Sequence, residues 1–151
     1  MRLVTFLRNG QPRLGALRSD PAGPTVVDLQ RAEPRLPADM VAFLAGGVET
    51  RALAERAVAS AAAGATLPLS AVTLKAPILR PGKIICIGLN YRDHARESGM
   101  EPPPEPVVFG KFGNTIIGPE APIHLPAVST QVDYEAELVV VIGRRGRRIP
   151  R

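Results

Sequence analysis

The sequence is short of aromatic residues and of cysteine, and each shortage narrows what the chain can do. Aromatic residues make up 4% of its 151 residues, and Trp is absent. Together with the lack of any recognisable nucleic-acid motif, this argues against a nucleic-acid partner. The single cysteine, Cys86, cannot form an internal disulfide, and its apolar surroundings predict a small core residue rather than a nucleophile.

A long apolar run is missing as well. The longest one, residues 57–69, is rich in Ala and is too short to span a bilayer. Near the N-terminus, Phe6 and Leu7 are followed at once by Arg8, so we predict no secretory signal. These two observations favour a cytoplasmic protein without a membrane partner.

Positive charge is in excess, but only at the C-terminal end. The net charge is +5, from 19 Lys and Arg against 14 Asp and Glu. Five basic residues stand within the last eight positions, and without these five the 14 remaining basic residues balance the 14 acidic ones. They are Arg144, Arg145, Arg147, Arg148 and Arg151. A basic end can contact phosphate groups, but the neutral body gives no further support for a polyanionic partner.

What the chain has in quantity is Pro and Gly. The 16 Pro and 14 Gly, with a hydrophobic fraction of 45%, predict a turn-rich, mostly β chain with a real core. Alternation over residues 1–7 predicts a strand, and Asn9-Gly10 predicts a hairpin turn into a second strand at 13–17. The other predicted elements of this half are a strand at 25–29, a helix that opens at Pro37 with Asp39 as its cap, a helix at 49–63 that ends at Gly64, and a linker at 68–77.

The second half of the chain changes character. Residues 83–87 predict a core strand, and residues 91–98 predict a short helix with Asn90 as its N-cap and Gly99 as its stop. The Pro-rich connector at 101–106 excludes both helix and central strand. Further predicted elements are a strand at 106–109, a turn at 117–120 and a long strand at 131–142. We assign residues 1–75 to a small N-terminal domain and residues 76–151 to a second domain.

The long strand carries a group of acids. Side chains two apart on a strand share a face, so Asp133, Glu135 and Glu137 are expected to point the same way. Crowded carboxylates repel one another and resist burial. A hard divalent cation such as Mg²⁺ or Mn²⁺ relieves both effects because it prefers oxygen ligands. The alternative is a half-exposed strand whose wet face is acidic.

The predicted helix carries a second constellation. His94 precedes Glu97 by three residues, which puts both side chains on the same side of a helix. A carboxylate beside an imidazole orients the ring and raises its basicity, as a general base requires. The alternative is an exposed helix of mixed charge whose residues form surface pairs. His124 lacks a comparable partner, and we expect it to be structural.

The order of these segments is more specific than any one of them. Over about residues 80–143 it resembles the fumarylacetoacetate hydrolase superfamily, and the preceding residues resemble the small N-terminal domain of many bacterial members. The segments that carry the resemblance are Gly88-Leu89-Asn90-Tyr91-Arg92-Asp93-His94, Val107-Val108-Phe109-Gly110-Lys111-Phe112 and Val132-Asp133-Tyr134-Glu135-Ala136-Glu137-Leu138.

The resemblance implies an α+β, β-rich fold, in which a small N-terminal αβ domain precedes a β-roll or sandwich catalytic domain. It implies a homodimer with a Mg²⁺ or Mn²⁺ centre. It also implies a small-molecule substrate of the 2-oxo acid or acylpyruvate type. The reaction would be hydrolysis of a C–C bond, decarboxylation or isomerisation through a metal-stabilised enolate, and the residues do not separate these three.

Carried over position by position, the resemblance makes Glu135 and Glu137 metal ligands. It places His94 and Glu97 as a pair on a mobile lid. This pair would move a proton or activate water. Lys111 matches a lysine near the substrate oxygens, with a surface charge as the alternative.

One departure from the family pattern is expected to matter. Members complete the metal's protein ligands with an acid some tens of residues after the second Glu, and residues 144–151 contain no acid. We therefore expect the N-terminal portion of a bacterial-type member, truncated before the end of the catalytic domain and inactive alone. The competing expectation is a β-rich binding or dimerisation module without catalysis of its own.

Overall fold

The computed structural model describes residues 1–150, which fall into two compact units. One unit consists of residues 1–77 together with the segment that starts at Gly118, and the other consists of residues 78–117. Within the described residues, seven strands accompany four α-helices and three short 3₁₀ turns. The expected α+β, β-rich class is thereby confirmed, while the predicted domains 1–75 and 76–151 stay a prediction.

Five antiparallel strands form the larger sheet. They are β1 (Arg2–Arg8), β2 (Gln11–Asp20), β3 (Gly23–Asp28), β4 (Thr66–Pro68) and β5 (Thr73–Lys75). Their spatial order is β4-β3-β2-β1-β5, so two short strands flank the long ones. The predicted linker at 68–77 is wrong, because Leu74 pairs with Phe6 of β1. A strand of three residues is too short to show a period in the sequence.

The β1–β2 hairpin turns at Asn9-Gly10, as predicted. Both residues have positive φ, 51° for Asn9 and 74° for Gly10, which is the combination that a two-residue hairpin turn requires. Farther along β2, Gly15 passes close to the core. A Cβ at this position would lie 2.6 Å from Val26 Cγ1 and 2.9 Å from Phe6 Cε1, so only glycine fits there.

Three helices follow the long strands: α1 (Leu29–Ala32), α2 (Met40–Ala45) and α3 (Gly47–Ala59). The predicted cap of α2 is confirmed, since the Asp39 carboxylate accepts a hydrogen bond from the Ala42 N–H at 3.0 Å. The prediction for α3 extended too far, because residues 63–65 form a 3₁₀ turn that contacts α1 and buries Ala65. Among residues 1–150, no helix combines the length and the apolar character needed to cross a bilayer.

The core of this unit lies among the long strands and the helices. Phe6, Val26, Val27 and Leu29 are completely buried. The other buried apolar residues of this region are Leu14, Ala16, Leu36, Met40, Phe43, Ala54, Ala57 and Ala65. Burial of a large apolar side chain stabilises a fold by about 1.5–3 kcal/mol, so the N-terminal residues supply a hydrophobic core of their own.

A buried carboxylate joins the sheet to α1. Asp28 is completely buried at the end of β3, where its side chain accepts a hydrogen bond from the Arg31 N–H and caps α1. The guanidinium of Arg13 lies 3.0 Å from Asp28 Oδ1, and that of Arg8 lies 3.3 Å from Oδ2. A buried charge needs such compensation, and we assign Asp28 a structural role.

The second unit contains a two-stranded antiparallel ribbon and one helix. The elements are β6 (Ile84–Gly88), α4 (Arg92–Glu97) and β7 (Val107–Lys111). The predicted strand at 83–87 is confirmed as β6, but it is not a core strand, since Ile85 is 64% exposed. Two strands alone do not cover their own apolar side chains.

Residues 131–142 do not form the predicted long strand. They adopt neither helix, strand nor turn, and all of them are exposed. The apolar, β-branched pattern favours a strand, but a strand forms only when its N–H and C=O groups pair with a neighbour. No strand among residues 1–150 pairs with this segment.

Candidate functional site

The backbone conformation at its two ends defines where α4, the helix that carries His94, begins and ends. Before it, Leu89 adopts a positive φ of 52°, which is rare for a bulky residue. The N-cap residue is Tyr91, whose side chain does not cap the helix, so the predicted cap at Asn90 is wrong. At the other end, Gly99 has φ 66° and the Met100 N–H donates to Ala95 O at 2.9 Å. This is the Schellman ending predicted from glycine.

His94 and Glu97 both lie on the exposed surface of α4. The one buried residue of the helix is Ala95, at 1% exposure, so the chain anchors the helix through a small side chain and presents its polar side chains outward. The spacing of three residues keeps His94 and Glu97 on one side, as predicted.

The same helix also contains the surface pairing that we considered as the alternative. Asp93 Oδ1 and Arg96 Nη2 lie 3.0 Å apart, with side chains 83% and 78% exposed. A pair as exposed as this stabilises a helix by only about 0.3–0.5 kcal/mol. The surface pairing therefore involves Asp93 and Arg96. Arg92 is exposed as well.

Lys111 lies at the end of β7 that is remote from the start of α4. In the ribbon register, Lys111 pairs with Ile84, whereas Val107 pairs with Gly88, the residue after which the chain enters α4. Four residues of strand separate these two ends, or about 13 Å at the usual rise. Lys111 is exposed. The ribbon by itself therefore does not bring the lysine to the beginning of the His94 helix.

Glu135 and Glu137 are exposed in the segment 131–143, which lacks regular structure. Their donor chemistry fits a hard cation, because two carboxylates two residues apart offer oxygen ligands that repel each other without one. Among residues 1–150, no group of three or more His, Cys, Asp or Glu side chains is arranged to hold a metal ion. The two glutamates thus fit as part of a ligand set, and their role as ligands stays a prediction.

Clearly lowered pKa values occur in the N-terminal region. A side-chain hydrogen bond from Arg35, supported by one from its N–H, lowers the pKa of Glu33 to about 2. A hydrogen bond from the Thr25 hydroxyl lowers the pKa of Asp20. Both carboxyls are engaged in local pairs, so their shifts indicate structural roles.

Neither of two notable cavities contains a predicted site residue. An open groove of about 700 Å³ lies between β5 and residues 118–121, and it includes Lys75 and Glu120. A smaller cavity of about 300 Å³ is lined by Phe43, Val48 and Arg51 with residues of β1. His124 is exposed, and Cys86 is half-buried on β6 with a free thiol, opposite Phe109.

The strand–helix–strand segment and the acidic segment both lie in a region that is similar to a known family. Residues 83–151 match the fumarylacetoacetate (FAA) hydrolase C-terminal family. The predicted resemblance to the fumarylacetoacetate hydrolase superfamily is thereby confirmed. Members of this superfamily generally use divalent metals.

Similar proteins extend the comparison over the N-terminal region. Oxaloacetate tautomerase FAHD2A, mitochondrial, from Bos taurus is 45% identical over 151 residues, which are 99% of this chain and 47% of that protein. The Homo sapiens protein of the same name is 42% identical with the same coverage. The chain therefore spans about half the length of the curated relatives it matches.

A solved structure shares the fold. The crystal structure of a protein described as HpcE, from Mycobacterium smegmatis, resembles this chain with a TM-score of 0.60 and 34% sequence identity. The likeness covers 84% of this chain and 41% of that one. It supports the fold class assigned above.

Proposed function

We propose that this chain is part of a divalent-metal-dependent enzyme that interconverts the keto and enol forms of a small 2-oxo acid. The observation that carries the proposal is the 45% identity, over 99% of this chain, to a protein named oxaloacetate tautomerase. Of the three reactions that the sequence left open, this favours isomerisation over C–C hydrolysis and decarboxylation. The proposed substrate is oxaloacetate or a related 2-oxo diacid.

His94 is the proposed proton carrier. Tautomerisation moves one proton between the carbon next to the ketone and the ketone oxygen, and no other atom is gained or lost. A neutral imidazole can accept that proton from carbon and return it to oxygen. Glu97, three residues along the same helix, would orient the ring and stabilise its protonated form.

Lys111 is the proposed partner of a substrate oxygen. An exposed ammonium group offers three donors to a carboxylate. Its place at the opposite end of the ribbon from the start of α4 favours a binding role over a part in proton transfer. A plain surface charge remains the alternative for this residue.

Glu135 and Glu137 are the proposed ligands of Mg²⁺ or Mn²⁺. When bound, the cation would supply Lewis-acid stabilisation of negative charge on the substrate oxygens. The support is the donor chemistry of the two carboxylates and the general use of divalent metals in this superfamily. A homodimer and a cytoplasmic location are also proposals, and the relatives named above carry the word mitochondrial in their names.

The catalytic proposal is tested in the full-length gene product with Mg²⁺ or Mn²⁺ present. The measurement is the decay of the ultraviolet absorbance of enol oxaloacetate. His94→Ala is expected to lower turnover roughly a hundredfold or more, because it removes the general base. Glu97→Gln is expected to lower it more mildly. Asp93→Asn, on the same exposed helix, is the control, and turnover of His94→Ala equal to that of this control would overturn the role of His94.

The metal proposal is tested by calorimetric titration of the 151-residue chain with Mn²⁺. We expect weak binding, because water must complete a six-coordinate site around two protein ligands. The double variant Glu135→Gln, Glu137→Gln removes both carboxylates, so binding should disappear. The control is Glu101→Gln, Glu105→Gln, which removes two exposed acids from the Pro-rich connector. Equal affinity in both double variants would show that Glu135 and Glu137 are not ligands.

A second candidate function is a binding or dimerisation module without catalysis. The observation that favours it is the exposure of the apolar residues 138–142, of which Val139 is 81% and Ile142 79% exposed. Absence of tautomerase, hydrolase and decarboxylase activity from the full-length product, at saturating Mg²⁺ and Mn²⁺, would favour this module over the enzyme.

A further inference from the structure

The turn at residues 118–121 holds a glutamate in an unfavourable backbone conformation. The Ala121 N–H donates a hydrogen bond to Gly118 O at 3.3 Å, and Glu120, the third residue of the turn, has φ 61°. The second residue is Pro119, whose ring fixes φ at about −65°. This combination of signs defines a type II turn, whose third position ordinarily holds Gly or Asn. A glutamate is strained at this position.

The same four residues suit a different turn better. Proline is favoured at the second position of both type I and type II turns. In a type I turn the third residue has a φ of about −90°, which glutamate adopts without strain. The local sequence Gly-Pro-Glu-Ala therefore favours type I, whereas the structure shows type II. An unfavourable local conformation persists only where the surrounding structure imposes it.

The surrounding structure is strand β5, at one edge of the five-stranded sheet. A Cβ at Gly118 would lie 2.9 Å from Leu74 O and 3.0 Å from Lys75 Cα, so the turn approaches the backbone of β5 as closely as only glycine permits. The open groove described above lies between β5 and this turn. The contact with β5 is thus the feature that can impose the type II form.

The turn also lies at one end of the segment 78–117. The chain leaves the larger unit after Pro77, whose carbonyl oxygen accepts a hydrogen bond of 2.7 Å from the hydroxyl of the buried Thr5, and it re-enters that unit at Gly118. Thr5 belongs to β1, which pairs with β5. Two neighbouring strands therefore hold the two ends of the segment that carries the proposed proton carrier.

We propose that residues 118–121 form a two-state latch on β5. In the closed state, the contact of Gly118 with β5 holds the turn in the type II form. In the open state, Gly118 leaves β5, the turn relaxes to type I and Glu120 takes a negative φ. Opening frees the C-terminal end of the segment 78–117, while Thr5 still holds its N-terminal end. The proposal goes beyond the proposed function and does not depend on it.

Cleavage by lysyl endopeptidase tests the latch in the 151-residue chain. The bond after Lys75, in β5, is cut only when this strand opens locally, and the rate follows the population of the open form. Gly118→Ala places a Cβ against β5 and is expected to speed this cleavage at least tenfold, with circular dichroism unchanged. Gly64→Ala is the matched control, because beyond its chain neighbours no atom lies within 4 Å of its Cβ position. We expect the control to change the rate less than twofold.

A series at Glu120 tests the turn without altering the contact at Gly118. Glu120→Gly accepts a positive φ and should slow cleavage after Lys75 about two- to fivefold. Glu120→Val resists a positive φ and should speed it about three- to tenfold. Glu120→Gln removes the charge but keeps the backbone preference, so its rate should stay within about twofold of the parent. Equal rates in these three variants, or a Gly118→Ala rate no faster than that of Gly64→Ala, would overturn the proposal.

Discussion

Phe6 and Phe112 are the same side chain in opposite surroundings, completely buried in one case and 82% exposed in the other. Phe6 lies in a five-stranded sheet that contacts α1, which in turn contacts α3, whereas Phe112 follows a two-stranded ribbon. Among the described residues, the buried apolar side chains lie within residues 1–77, with Ala95 as the exception. The difference teaches that apolar strands are no evidence of a core until a second layer covers them.

The largest expected effect contrasts these two phenylalanines. Phe6→Ala should destabilise the chain by about 3–5 kcal/mol, because it leaves a cavity in a packed core. Phe112→Ala should change the free energy of unfolding by less than about 0.5 kcal/mol. Urea unfolding followed by circular dichroism measures both. A comparable loss in the two variants would mean that Phe112 is packed in solution, which would remove the contrast.

The next effect contrasts two aspartates that pair with arginine. Asp28→Ala removes the cap of α1 and leaves Arg8 and Arg13 without their carboxylate partner. We therefore expect the free energy of unfolding to fall by about 3 kcal/mol. Asp93→Ala breaks an exposed pair with Arg96 and should cost less than about 0.5 kcal/mol. The measurement is again the free energy of unfolding in urea. Asp28→Asn, which can still cap α1, should fall between the two.

A smaller effect concerns helix caps in the two regions. Asp39→Ala should destabilise the chain by about 1 kcal/mol, since the Ala42 N–H loses its acceptor. Asn90→Ala should have almost no effect on stability, because the cap of α4 is Tyr91. Thermal melts of the two variants decide the matter, and an equal fall in Tm would restore Asn90 as the cap.

The smallest effect depends on pH. The folded-state pKa of Glu33 is about 2, below its ordinary value of 4.5. The unfolded state therefore binds more protons between these values, and the stabilisation from Glu33 is complete above pH 4.5 and is lost as the pH falls towards 2. Arg35→Gln removes the side-chain hydrogen bond but keeps the backbone N–H, so it should weaken this dependence and move the pKa of Glu33 part of the way towards 4.5.

The pKa is measured by carboxyl NMR titration, with the Tm followed from pH 2 to 5. Arg51→Gln, whose partner Glu55 lies 3.0 Å away on α3, is the control. If the Glu33 titration is the same in both variants, another group holds its pKa low.

Local features of the candidate site follow from the sequence, whereas the roles of its residues stay a prediction. Helical spacing was enough to put His94 and Glu97 on one side of α4, and Gly99 was enough to end that helix. The strand at 131–142 was wrong, because its residues show the right period and no described strand pairs with them. Lys111 was matched by its place in a motif, and only the ribbon register shows that it lies at the end remote from the start of α4.

The sequence by itself determined those features that depend on a few consecutive residues. These are the Asn9-Gly10 turn, the Asp39 cap and the glycine ending of α4. Their physical causes are local φ preferences and short hydrogen bonds, so neighbouring residues are sufficient to specify them.

Only the tertiary structure decided which strands are buried and which polar groups are compensated. Residues 73–75 pair with β1 at the edge of the sheet, and two arginines lie beside the buried Asp28. Ile85 and Val140 are exposed. Burial depends on a partner layer that is distant in sequence, and no periodicity within one segment carries that information.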